Sequence, residues 1–438
     1  MKKTISILIG SLFLISMSSC LFEEENIFDE SAAQRVNTAM EEDFNLLTSA
    51  SNGWVLNYFP TSDKEGYTLL MNFNKDNTVT IAAKNNLTNN IYNSEVSLFE
   101  MIADNGPVLT FNSYNEYLHG FSVPDESHGG SQGKGLEGDY EFIIMETSPD
   151  RILLKGKKRG VKMDLRRLPE NQDWKEYFTS IEQMNTLLFR TNKPNAIIMT
   201  IDDTIRYNLD NGISHIFAML RTGGDALMDT KQIPFIVTDY GIKFAKPFSS
   251  ESGKSVQTFK LSDDKNSLVC IDENLNAKIE GIMPMNLYTA MMNLNADMKF
   301  IHDSEDMSPS IKEVYDRISV AMADKGRKYY ISMSNYKNQG QSLFINTTKG
   351  TSQTVGYLSF SIVQNNNSEI AFSFNGFNAQ TDRNGKNFYD TYNGIADLVR
   401  LLEGTYTISY KGCYLNPSAI HFVSTSDNNK WFNLSVTD

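Results

Sequence analysis

The chain has 438 residues, with 40 basic and 53 acidic side chains, 40% hydrophobic residues and 11% aromatics. This is an ordinary globular composition of two- or three-domain length, neither disordered nor fibrous. A net charge of -13 argues against a nucleic-acid partner, because affinity for phosphate backbones comes from Lys and Arg releasing counterions. Five histidines and three cysteines leave little material for metal clusters or a disulfide framework, so no cofactor is expected.

Lys2 and Lys3 precede an apolar run from Ile5 to Ile15, and small residues then lead to Cys20 in Met17-Ser18-Ser19-Cys20. This is a charged n-region, a short h-region and a small-residue cleavage site. The run is too short to cross a bilayer, which takes about 20 apolar residues. Simple secretion would leave a lone thiol at the new N-terminus, which lipidation explains better. The segment resembles a bacterial lipoprotein signal with Met17 in the place of the usual Leu. That implies removal of residues 1–19 and acylation of Cys20, with more than one chain giving a stable anchor where a single chain is marginal. Residues 20–30 open with Leu21, Phe22, Glu23, Glu24 and Glu25. They resemble the acidic tether that directs Bacteroidetes lipoproteins to the cell surface; a solvated linker is the plainer alternative.

Val36, Met40, Phe44 and Leu47 recur at helical spacing behind a Ser31/Gln34 capping-box pattern, which predicts a short amphipathic helix. Beyond Gly53 the period falls to two in eight runs: Trp54–Phe59, Tyr67–Phe73, Thr78–Lys84, Ile91–Ile102, Val108–Asn112, Tyr140–Glu146, Arg151–Lys157 and Val161–Leu168. Turn clusters such as Lys75-Asp76-Asn77 divide them, and an insertion from His119 to Gly138 interrupts the meander. A second helix begins at Trp174, followed by seven strand-like runs ending at Ile271. A third round starts at Ser308-Pro309, and one last helix is expected through Phe388, Tyr392, Ile395, Val399 and Leu402. The fold class predicted is mainly β with helices (α+β), with antiparallel meander or lipocalin-like barrel modules joined by amphipathic helices. The modules expected are 31–170, 171–285 and 286–438. Gly53, Gly326 and Gly404 each stand between a helix and an aromatic-rich strand, as an internal repeat requires, although a glycine C-cap is also a common helix stop.

Gly53-Trp54, Gly66-Tyr67, Gly106-Pro107-Val108-Leu109-Thr110-Phe111, Tyr114-Asn115, Leu118-His119, Gly138-Asp139-Tyr140-Glu141-Phe142 and Leu154-Lys155-Gly156-Lys157-Lys158 together resemble a Bacteroidetes lipoprotein family known as domain of unknown function 4302. The resemblance carries no established activity to any residue. It implies a companion of SusC/SusD-type outer-membrane transporters that captures oligosaccharide or peptide nutrients at the cell surface. A hydrolase acting on the same polymer and a structural transporter accessory are the alternatives.

The candidate ligand-binding residues are Trp54, Tyr67, Tyr114, Tyr117 and His119, with Tyr58 beside them; aromatics are also favoured strand formers, so a core role competes. His119, Asp125, Glu126 and His128 have metal-ligating chemistry but no recognised spacing, and a mobile polar loop is the simpler reading. The stretch Gly129–Gly135 lacks the glycine and the Ser/Thr of a phosphate loop. Neither a Gly-x-Ser-x-Gly elbow nor a convincing cysteine–histidine pair is present, so no catalytic residue is assigned. Cys270 and Cys413 are expected as buried thiols in preference to a disulfide. The pairs Asp202/Asp203, Asp263/Asp264 and Glu305/Asp306 read as hairpin ends rather than glycosidase carboxylates. Lys155, Lys157, Lys158, Arg159, Lys162, Arg166 and Arg167 would place positive charge on one edge of a hairpin, either for an anionic ligand or as protection against edge-to-edge aggregation.

Overall fold

The computed structural model describes residues 31–436 except 105, 127–129, 190–195, 211, 213, 222–230, 274, 283–295, 337–338, 367, 378–382 and 414–415. Cys20, the leader and the acidic stretch therefore lie outside the described residues, as does His128.

Helix α1 (Ala32–Thr48) opens on the expected box: the Gln34 N–H donates to Ser31 Oγ and the Ser31 N–H to Gln34 Oε1. Its apolar stripe turns Leu47 into the core, with Phe44 packed alongside. The chain reverses at Gly53, whose φ is 76°. A Cβ there would stand 2.4 Å from the Met71 carbonyl oxygen, so glycine is required for conformation and space alike. Asp43 is buried on α1, and burial, then Glu42, push its carboxyl up to about 6. The folded state thus holds this proton to higher pH than the unfolded chain, so stability falls as pH rises from about 4 to about 6. Asp43→Asn is expected to remove that fall and to stabilise the protein by about 1 to 3 kcal/mol above it. Urea midpoints of both proteins at pH 4 and pH 7.5 check this; parallel shifts at the two pH values would contradict it.

The N-terminal sheet comprises β1 (Trp54–Tyr58), β2 (Tyr67–Phe73), β3 (Thr78–Ala83), β4 (Asn93–Leu98), β5 (Glu100–Asp104), β6 (Gly106–Thr110), β7 (Glu141–Ser148), β8 (Arg151–Gly156) and β9 (Lys162–Arg167), in the order β4-β3-β2-β1-β9-β8-β7-β6-β5. Side chains from β3 and β6, far apart in that order, meet in one core, so the sheet curls into an open half-barrel. The single run expected over Ile91–Ile102 is two strands. Phe99 between them is buried against Phe73 and Phe44, with ring centroids 4.9 Å and 5.8 Å away, and the corner it makes leaves β4 and β5 as the two edges.

Helix α3 (Trp174–Leu188) is capped by Asp173, whose carboxylate accepts from the Lys175 and Glu176 N–H groups; the short α2 (Glu116–His119) belongs to the first module. A closed antiparallel barrel then runs from β10 (Ala196–Ile201) to β17 (Ala277–Ile282), which pair with each other. A second closed barrel runs from β18 (Ala296–Phe300) to β25 (Trp431–Val436). Helix α4 (Pro309–Asp324) buries Ile311, Tyr315 and Ile318 among barrel residues such as Ile331 and Phe432. Pro309 occupies its first turn, but the Ser308 side chain makes no cap bond. The last expected helix is two, α5 (Arg383–Thr391) and α6 (Ile395–Leu402), divided at Gly394 with φ 97°.

The half-barrel and the first barrel share a core, because Ile236 and Ala245 pack into the N-terminal cluster. The Gly66 N–H donates to the Phe235 carbonyl at 3.1 Å, and a Cβ on Gly66 would stand 2.6 Å from atoms of both Ile236 and Phe59. Around this contact Arg166 pairs with Asp239 at 2.9 Å and Lys243 with Asp164. In the strand order the basic hairpin β8–β9 lies between β1 and β7, central in its sheet rather than at an edge, which overturns the edge expectation.

Candidate ligand-binding surface

Asn115, fully buried, builds the site. Its Oδ1 accepts from the Tyr117 N–H at 3.1 Å, starting α2, and its Nδ2 donates to Ser97 Oγ at 3.1 Å. One helical turn later His119 folds back so that its Nδ1 accepts from the Asn115 N–H at 3.1 Å. An accepting Nδ1 leaves Nε2 as the N–H of a neutral imidazole, and Nε2 lies 3.1 Å from the Phe111 carbonyl. Burial lowers the pKa of the ring, which agrees with the neutral form.

Held this way, His119 is the middle of an aromatic stack. Tyr140 lies against it at 4.7 Å and 28°, and Tyr114 at 5.4 Å and 35°. Both tyrosines face solvent, 57% exposed for Tyr114 and 41% for Tyr140. Tyr114 Oη donates to Glu116 at 2.9 Å; burial, then this carboxylate, push its phenol up to about 12. Beside Tyr140 opens a depression of about 470 Å³ lined by Ser122, Gly138, Glu141, Lys157 and Lys158. Its floor is Asp139, which accepts the Lys158 and Arg159 N–H groups at 3.2 Å and 2.8 Å. The surface thus sets flat, wet aromatic faces beside a polar hollow, an arrangement suited to stacking and hydrogen bonding.

Of the five candidate residues, Tyr114 and His119 meet here, joined by Tyr140. Tyr117 is half-buried against the module core. Tyr67 belongs to a different cleft, where its hydroxyl donates to Glu65 at 3.0 Å. Trp54 is corrected to a core residue: it is 0% exposed and its Nε1 donates to the Leu47 carbonyl at 2.8 Å. Tyr58, also buried, donates to the Asp139 carbonyl at 3.0 Å.

The other chemistry-bearing residues take structural partners. Lys157 meets Asp104 and Glu141 at 3.2 Å and 3.5 Å, and Arg159 meets Glu137 at 2.8 Å. Asp202 pairs with Lys254 and Asp203 accepts from Asn276 at a tight hairpin. Asp264 caps its own turn through Ser262 and Asn266, and Asp306 pairs with Lys411 at 2.6 Å. Cys270 is a free, buried thiol, pushed up to about 11, chiefly by burial; the Cys413 side chain lies outside the described residues. Among the described residues no group of three or more His, Cys, Asp or Glu side chains could hold a metal ion, and no helix is long and apolar enough to cross a membrane.

One constellation has no sequence signature. His302 Nε2 lies 2.8 Å from Asp316, and its Nδ1 lies 3.5 Å from Ser319 Oγ, the residue types of a nucleophilic triad. Ser319 sits inside α4, where backbone N–H groups are committed to carbonyls one turn earlier, so the helix offers no oxyanion donors. Its hydroxyl also lies 2.6 Å from Tyr329 Oη. The array ties the segment after β18 and strand β19 (Lys328–Tyr336) to the helix and lacks the parts for acyl transfer.

The architecture defines a class of β-rich proteins, an open half-barrel followed by closed antiparallel barrels, each packed with helix. The chain belongs to the family described as "Domain of unknown function (DUF4302)", matched over residues 24–263. The match spans the half-barrel and most of the first barrel. No curated protein matches the chain. A solved structure of the isotype 1 transferrin binding protein B from serogroup B Neisseria meningitidis aligns at 11% identity, covering 84% of this chain and 64% of that one, with a TM-score of 0.12.

Proposed function

We propose that the protein is a lipid-anchored accessory of the outer-membrane surface, capturing oligosaccharide or peptide nutrients for a SusC/SusD-type transporter without cleaving them. The observation that carries this is the exposed Tyr114–His119–Tyr140 stack beside its polar hollow. Aromatic faces bind flat-faced units of an oligomer, while a capture protein must still release them. Affinity is therefore expected in the micromolar range, near -8 kcal/mol. The lipobox-like Met17–Cys20 segment supports the anchor, and His119, with both ring nitrogens engaged by backbone, is poorly placed to serve a hydrolase as base.

Calorimetric titration of the mature protein against oligosaccharide and peptide libraries tests capture. Tyr114→Ala and Tyr140→Ala should each weaken binding by about 1 to 2 kcal/mol while leaving stability within about 0.5 kcal/mol, as expected of exposed positions. Steady shortening of the library by purified protein would favour the hydrolase. Palmitate labelling in cells should disappear in Cys20→Ala, and pull-down from detergent-solubilised outer membrane should recover a transporter. Labelling that survives the substitution would sink the anchor.

A further inference from the structure

A second cleft, of about 340 Å³, lies where the half-barrel, α3 and the first barrel meet. Its apolar wall is Ile181 of α3 with Ile236 and Val237 of the barrel. The large rings at its base, Phe178 and Tyr67, are almost wholly buried, so no flat aromatic face is offered to a sugar. Its charges satisfy one another. Lys84 pairs with Glu182 at 2.6 Å, while the His215 ring lies 3.0 Å from Glu65 and 2.9 Å from Asn185 Oδ1. No charge in this set awaits a counter-ion on a ligand.

What remains unsatisfied is an amide donor. Asn85 lines the cleft and is 8% exposed. Its Oδ1 is fixed by the Leu87 N–H at 3.0 Å, which sets the amide's orientation and leaves Nδ2 without a partner and shielded from water. An unpaired buried donor costs about 1 to 3 kcal/mol, and a neutral carbonyl oxygen seated against Nδ2, displacing the cleft side chains that now shield it, would relieve that cost while the Leu87 bond is kept.

We infer that the cleft is a binding site for an uncharged peptide unit bearing an aliphatic side chain. The side chain occupies the Ile181/Ile236/Val237 wall and a backbone carbonyl accepts from Asn85 Nδ2. The site is separate from the Tyr114–His119–Tyr140 surface and stands or falls independently of it.

The probe is N-acetyl-leucinamide, observed by saturation-transfer NMR on the full mature chain, with cellobiose as the sugar comparison. The amide should bind with a Kd on the order of 1 mM, as expected for a ligand of this size, with its methyl protons receiving the strongest saturation. Ile181→Trp fills the cleft and should abolish binding. Asn85→Asp keeps the acceptor for Leu87 but removes the donor, and should weaken binding roughly five-fold, about 1 kcal/mol. Tyr114→Ala should change nothing. The proposal is overturned if the amide does not bind, if cellobiose binds in its place, or if both cleft variants bind like wild type. Should either variant fail to fold, the methyl saturation pattern and the cellobiose comparison on wild type decide it alone.

Discussion

Trp54→Ala is expected to destabilise the N-terminal module by about 3 to 5 kcal/mol, the usual cost of emptying a site filled by a large ring. The indole is completely buried and does two things at once. Its ring fills the half-barrel where β1 leaves Gly53, with the Arg167 guanidinium 4.7 Å from its centre. Its N–H satisfies the Leu47 carbonyl in the last turn of α1, one of the acceptors that a helix end leaves unpaired. Trp54→Phe keeps much of the volume but loses the donor and part of the ring, so a smaller loss, about 1 to 3 kcal/mol, is expected from the stranded carbonyl and the residual gap. Urea unfolding followed by circular dichroism separates the two variants. A Trp54→Ala protein with a wild-type midpoint and lost ligand binding would return this residue to the ligand surface.

The contrast between Trp54 and Tyr114 shows what the sequence carried and what it did not. Trp54 opens one strand-like run and Tyr114 follows another, and composition treats them alike. The fold separates them, because Trp54 sits on the inward face of β1 whereas Tyr114 stands in the connection leading to α2. The strands were legible wherever one face is buried. Leu358, Phe360 and Ile362 alternate with Ser359 and Ser361, and all three apolar residues are buried. Two short strands carry the same alternation, with charges on their outward positions, yet lie outside the runs expected from the sequence. β17 reads Ala-Lys-Ile-Glu-Gly-Ile, and β18 reads Ala-Asp-Met-Lys-Phe. Each closes its barrel by pairing with a strand far along the chain, a partner that no local pattern names. The apolar spacing from Phe388 to Leu402 continues across Gly394, and only its left-handed backbone marks the break between α5 and α6. The second cleft had no signal at all. Glu65 and His215 are 150 positions apart, and the orphan donor of Asn85 depends on which way one amide faces.

The modules meet through a charge cluster whose disruption should be as costly as the loss of Trp54. Asp164 is 4% exposed in the middle of the sheet. It pairs with Arg151 of the neighbouring strand at 2.6 Å and with Lys243 of the first barrel. Removing it strands a nearly buried ammonium, so Asp164→Ala is expected to cost about 3 to 5 kcal/mol. The pH profile identifies the cause. Burial, then Arg151, pull the Lys243 ammonium down to about 8, whereas an unfolded lysine keeps its proton to about 10.4. Below pH 8 both states are protonated and the burial penalty is fully present. Between about 8 and 10 the unfolded chain binds more protons than the folded one, so stability from this group rises with pH. Lys243→Met should abolish that rise. In Asp164→Ala, with the neighbouring carboxylate gone, Lys243 should lose its proton earlier and the rise should begin below pH 8. Adding Lys243→Met to Asp164→Ala should then recover at least half of the lost stability, because an apolar stem needs no counter-charge. If the double variant is no more stable than Asp164→Ala alone across pH 6 to 10, the cost lies in Arg151 and the sheet rather than in the charge that joins the two modules.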